Sequence, residues 1–240
     1  MNDAAAASDA GSADAPGWYG KLSTLGDFAS RRLSPPVVAA LDRWLSEAVS
    51  GSQQALGDAW LDAYLASPLQ RFVLGPGLVN DSAGAATWWF GVLMPSCDNV
   101  GRYFPLAVLQ PRAVPPVDRV GLDHLEAWWQ RAGEAALETL SDGVDVQRFE
   151  RALAELPPWP LAHEPDGWAA SVVATGEGWL PTDCTPGELA RGFAAAAWTR
   201  RLQGHSLWWA WQPLGAEGRC RIVAGLPSAE AFSALLGTGS

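Results

Sequence analysis

Lysine is almost missing from this sequence. The 240-residue chain carries one Lys against 15 Arg, its 16 basic side chains face 26 acidic ones, and the formal charge is -10. This deficit of positive charge argues against a nucleic-acid partner, because phosphate recognition needs a concentrated positive field, and it disfavours anionic membrane surfaces. Cysteine is scarce too. Cys97, Cys184 and Cys220 are odd in number and far apart, which fits neither a disulfide framework nor a paired-thiolate metal knuckle and reads as reduced thiols in or near a core. Long apolar runs are lacking as well: no stretch reaches the ~18 uninterrupted apolar residues of a membrane span. No membrane insertion is therefore expected, and the location is expected to be cytoplasmic. Residues 1–16, rich in Ala, Asp, Ser and Gly, have neither a cationic start nor an apolar centre, so they read as a disordered tail and not as a secretory signal.

The common catalytic signatures are absent. Gly20-Lys21 resembles the end of a phosphate loop, but Ala15 stands where that motif needs its first Gly and Leu22 replaces the hydroxyl that would hold Mg²⁺. There is no G-x-S-x-G elbow to expose a nucleophilic serine. His124, His163 and His205 have no H-x-x-x-H or H-E-x-x-H spacing that would place two imidazoles on one metal. No cofactor or metal is expected. One enzymatic alternative stays open, a small hydrolase or transferase using Cys97, His205 and Asp98 in a cleft, because such partners are distant in the chain when they are close in space.

What the chain does hold is apolar residues at 48% and 14 Trp, enough for a sizeable core. Trp18–Leu22 reads as a first strand, with Ser23–Ser30 as a loop after it. Ser34-Pro35 is an N-cap with proline at the first helical position. Val38, Leu41, Trp44, Leu45 and Ala48 continue the helix to about Ser50, where Gly51 is expected to stop it. Leu56, Trp60 and Tyr64 give a second helix. The runs Arg71–Leu74, Thr87–Met94 and Tyr103–Leu109 change to strand composition, and Trp88–Met94 has no polar alternation, so both of its faces must be covered. Helices follow over Leu122–Leu140 and Val146–Leu156. After a proline-rich stretch, Leu156–Gly167, a T-P-G-E capping box at Thr185–Glu188 opens another helix. Two paired strands, Leu207–Trp211 and Arg221–Leu226, and a helix over Ser228–Leu236 close the chain. Neighbouring residues of a strand point to opposite faces, so Trp88 with Trp89 and Trp208 with Trp209 should supply both faces of the sheet. The expectation is a single α/β domain over 17–240, with a mixed sheet of six or seven strands sandwiched between helical layers.

Two polar loops stand out against this apolar frame. Gly20–Phe28 contains the lone Lys21 and Asp27. Pro95–Leu106 joins two buried strands by more than a tight hairpin needs, which marks it as a functional loop. Asp98 and Arg102, four apart in it, are placed to form a forked ion pair that fixes the loop. Lys21, Asp27, Asp98 and Arg102 are the candidate partner-binding residues.

Three segments carry a resemblance: G-K-L-x-x-x-G-D-F at Gly20–Phe28, W-W-F-G-V-L-M-P-S-x-D-x-V-G-R-Y-F-P-L at Trp88–Leu106, and S-L-W-W at Ser206–Trp209. Together they are similar to the TagF (ImpM) family of type VI secretion-associated proteins. The resemblance implies an α/β sandwich and a non-enzymatic cytoplasmic regulator. Such a regulator is a post-translational repressor of type VI secretion that binds a secretion-system protein, the forkhead-associated scaffold Fha. It implies no catalytic residues. A structural subunit that stays in the secretion machine is a further alternative.

Overall fold

Seven strands form one sheet in the order β2-β1-β5-β4-β3-β6-β7, and every pairing is antiparallel. The computed structural model describes residues 15–81, 87–141, 143–157, 159, 185–211 and 220–237. The strands are β1 (Gly17–Gly20), β2 (Ala29–Arg31), β3 (Gln70–Leu74), β4 (Trp88–Met94), β5 (Leu106–Arg112), β6 (His205–Ala210) and β7 (Cys220–Ala224). Helices α1 (Pro35–Leu56), α2 (Trp60–Ala66), α3 (Arg119–Glu138), α4 (Val146–Ala154), α5 (Pro186–Leu202) and α6 (Ala229–Leu236) complete the described elements, with a 3₁₀ turn at Gly57–Ala59 before α2.

The layered α/β expectation holds, and so does the strand number. The strand direction differs from the expected mixed sheet. Uninterrupted apolar strands report that both faces are covered, not which way the neighbours run, and here β3, β4 and β5 are adjacent antiparallel strands, with no crossover helix between them among the described residues. The tail before residue 15, most of the proline-rich stretch, His163 and Cys184 lie outside the described residues.

Each face of the sheet has its own core. Tyr19, Phe72, Leu74, Trp89, Leu93, Leu109 and Trp208 pack under α1, α2 and α6. On the other face Trp18, Val73, Trp88, Phe90, Val92 and Val108 pack against residues of α3 and α4 and Leu202 of α5. The adjacent Trp pairs divide as strand geometry requires, with Trp88 and Trp209 on one face and Trp89 and Trp208 on the other. Burying an indole leaves an N–H to satisfy, and the fold provides partners: Trp89 donates to the Val79 carbonyl at 3.0 Å, Trp129 to the Gly91 carbonyl at 3.0 Å and Trp208 to Ser206 Oγ at 2.8 Å.

Helix ends follow their cap residues. Asp118 Oδ1 accepts from the Gly121 N–H at 2.8 Å, and Thr185 with Glu188 forms the capping box read from the sequence. Ser34 precedes α1 as expected, but its hydroxyl donates to Asp81 Oδ1 at 2.6 Å and makes no cap bond. Gly51 does not end α1, which continues to Leu56. Its missing side chain serves the crossing of α1 over α6, where a Cβ would stand 2.3 Å from Ala229 Cβ. The short strand β2, read as loop in the sequence, is held by pairing Trp18 with Arg31 and Gly20 with Ala29.

Candidate functional site

Strand register brings the two polar loops together. Gly20 at the end of β1 and Met94 at the end of β4 both pair with Leu106, the first residue of β5, so the segments that follow them leave the same end of the sheet side by side. The sharp exit from β1 requires Gly20: its φ is +139°, and a Cβ there would fall 2.1 Å from the Pro105 carbonyl oxygen. The second loop, residues 95–105, is drawn in by an isolated bridge between Cys97 and Tyr103.

A buried ion cluster locks the loops to each other. Lys21 Nζ lies 2.6 Å from Asp98 Oδ2, with side chains only 4% and 0% exposed, and Arg102 Nε reaches the same oxygen at 2.6 Å. The other carboxylate oxygen, Oδ1, accepts the backbone N–H groups of Arg102 at 2.8 Å and Val100 at 3.1 Å. Burial opposes ionisation of Asp98. The hydrogen bonds from the Lys21 ammonium, the Arg102 backbone and guanidinium and the Val100 N–H outweigh it and hold the carboxyl well below the usual carboxylate range. Arg102 was expected to fork onto Asp98. Its fork is divided instead, Nε to Asp98 and a terminal nitrogen to the Gly26 carbonyl at 2.5 Å, so one side chain ties the second loop to the first.

Further bonds hold the loops to the scaffold. Ser96 Oγ donates to the Lys21 carbonyl at 2.8 Å. The buried Tyr64 hydroxyl donates to the Ser96 carbonyl and accepts from the Ser96 N–H, both at 3.0 Å, and burial pushes its phenol above the ordinary range, so it stays protonated. Ser23 Oγ donates to the Thr139 carbonyl just beyond α3 at 2.5 Å. Phe28 caps the cluster: the Lys21 ammonium sits 4.8 Å from its ring centre, and Phe104 meets it edge-on at 4.7 Å. Tyr64, Ser96, Phe28 and Phe104 were not singled out from the sequence. Tyr64 reads there only as part of a helical apolar stripe, and its partner is 32 residues away.

The four residues named from the sequence thus divide into two kinds. Lys21 and Asp98 are interior, whereas Asp27 and Arg102 lie at the surface. Among the described residues Asp27 takes only a local bond, accepting from the Phe28 N–H at 2.8 Å.

The enzymatic alternative needs Cys97, Asp98 and His205 to converge, and they do not. His205 begins β6 at the opposite end of the sheet, beside Gly75, and β6 reaches the site end only at Ala210, opposite Gln70. At the rise of an extended strand that separation is roughly 16 Å. A groove of about 610 Å³ between α3 and α4 is lined by Arg131, Glu134, Glu138, Arg148, Arg151 and Glu155 and includes none of the three. Among the described residues no cluster of His, Cys, Asp and Glu is arranged to hold a metal.

A family model described as the TagF N-terminal domain, type VI secretion system-associated, matches residues 17–156, the segment that contains both loops and every residue of the ion cluster. The chain belongs to the TagF family. The resemblance carried by the loop motifs is thereby established, and with it the association with type VI secretion. Among solved structures, the TagF-family chain is similar to PA0076 from Pseudomonas aeruginosa PAO1, whose crystal structure was determined at 2.05 Å. The two share 36% identity with a TM-score of 0.70, and the match covers 94% of each chain. No curated protein matches. Among the described residues no helix is long and apolar enough to cross a membrane.

Proposed function

We propose that this protein is a non-enzymatic, cytoplasmic regulator of type VI secretion, a post-translational repressor that acts by binding another protein of the system, the forkhead-associated scaffold Fha. Lys21, Asp27, Asp98 and Arg102 belong to the binding end of the molecule. Lys21 and Asp98 act from inside by fixing loop shape, and Asp27 and Arg102 act at the surface. The observation that carries the reading is the lock itself. Two segments 77 residues apart are held at one end of a rigid sheet by a buried ion pair, and the carboxylate at its centre is fully engaged in structure. A site built this way is pre-organised for recognition, because loops already fixed lose little freedom on binding.

The test is affinity capture of the purified scaffold by the full chain, run beside a Phe28→Ser, Val100→Ser double variant. Val100 is exposed, whereas Phe28 is half-exposed with the rest of its ring packed on Phe104 and the Lys21 ammonium, so a modest fall in Tm is expected. At a temperature where the variant is fully folded it should lose capture and fail to restrain secretion in cells that lack the native protein. Capture that survives the double change takes the loops out of the interface. A wild-type chain that binds no scaffold rules out that partner.

A further inference from the structure

The surface left by the lock has a definite chemistry. Arg102 is held by Asp98 and the Gly26 carbonyl, yet its side chain is 57% exposed. Among the described residues its remaining N–H groups have no acceptor. The cluster of two cations and one carboxylate carries one net positive charge, in a chain whose overall charge is -10. Beside it are two exposed apolar groups. Val100, 69% exposed, lies on the turn that Asp98 closes, and Phe28, 45% exposed, is pinned by Phe104 and the Lys21 ammonium. An arginine whose orientation is already fixed, next to rigid apolar surface, is the composition of an interface hot spot, because the cost of ordering the side chain has been met by the fold.

Building on the reading that the two loops are the partner-binding end, we propose that they receive a segment of the partner in which a single carboxylate side chain is flanked by apolar residues. The carboxylate seats on the outer N–H groups of Arg102, and the apolar neighbours cover Phe28 and Val100. One net positive charge matches a monoanion. Asp27, the other exposed charge on the first loop, opposes such a ligand and is not a grip for it: its carboxylate is turned back to the Phe28 N–H. It sets the side from which the acid approaches.

A random peptide library displayed on phage and selected on the full chain tests this directly. The enriched peptides should place Asp or Glu beside Leu, Ile, Val or Phe. Binding of the best synthetic peptide, followed by fluorescence anisotropy, should weaken roughly 10- to 100-fold in Arg102→Gln, the loss expected for a charge-assisted pair. Arg102→Lys should recover only part of it. Asp27→Asn should tighten binding about two- to fivefold, and added salt should weaken it. Enrichment without acidic residues, failure to enrich any peptide, indifference to Arg102→Gln in a variant that melts like wild type, or tighter binding of a phosphoserine version of the peptide would each overturn the proposal. Scaffold capture separates the two levels. If Phe28→Ser, Val100→Ser abolishes capture while Arg102→Gln does not, the loops remain the interface and only the carboxylate reading fails. If neither change affects capture, both readings fail.

Discussion

Replacing Gly20 by Ala tests whether backbone packing between the loops, and not glycine content as such, holds the site together. Gly20 has φ +139°, and an added Cβ would lie 2.1 Å from the Pro105 carbonyl oxygen and 3.0 Å from Leu106 Cα. Two costs combine: backbone strain of about 1–3 kcal/mol and overpacking of about 1–3 kcal/mol. The atoms in the way are main chain, so neither can be relieved by a side-chain rotation. For a chain of this size each kcal/mol lowers Tm by about 2–4 °C, so a fall of roughly 5–20 °C is expected. Gly101 in the second loop is the control. Its φ is +78° but nothing stands within 4 Å of the added Cβ, so Gly101→Ala costs only the left-handed conformation. That cost is about 1–2 kcal/mol, which lowers Tm by roughly 2–8 °C. Thermal unfolding of both variants followed by tryptophan fluorescence makes the comparison. Equal melting temperatures would mean that β1 and the start of β5 are not packed backbone to backbone at the site, and the reasoning would be refuted.

Three other outcomes follow from particular contacts. Gly51→Ala should destabilise, because overpacking of about 1–3 kcal/mol against Ala229 outweighs a helix-propensity gain of about 1 kcal/mol; adding Ala229→Gly should restore stability, and denaturant unfolding of the three variants measures the coupling. Asp98 has a depressed pKa, so its contribution to stability is complete above its ordinary value of 3.8 and is lost as the pH falls below that toward the folded value. The stability gap between wild type and Asp98→Asn should therefore be widest near neutrality and narrow as the pH falls from about 5 toward 3; a gap that widens on acidification would contradict the assignment. Thr185→Ala should cost about 1 kcal/mol through loss of the capping box on α5, read by circular dichroism on heating.

Much of this architecture was legible in the sequence because its signals are local. The unbroken apolar run Trp88–Met94 announced a strand covered on both faces, Thr185–Glu188 announced a helix start, and Asp98 with Arg102 announced a turn fixed by charge. What stayed hidden depends on partners far along the chain. Strand direction is not written in strand composition. Gly51 looks like a stop signal until Ala229, 178 positions later, is seen to need its space. Lys21 stands out in the sequence as the lone lysine and as part of the G-K-L segment, but its role follows from Asp98, which no spacing rule connects to it. Arg102 was legible as a partner of Asp98, whereas its second bond, to Gly26, depends on how β1 and β4 lie beside β5.

The division of the buried pair between two segments limits how this end of the molecule can be re-engineered. Lys21 comes from one loop and Asp98 from the other, so grafting either loop alone onto a scaffold without the complementary charge would strand an ion in the interior. Chimaeras that exchange both loops as a unit should fold and carry their recognition with them. Single-loop chimaeras with a recipient that lacks the complementary charge should aggregate or melt early, whereas a recipient that keeps both the lysine and the aspartate should accept either loop alone.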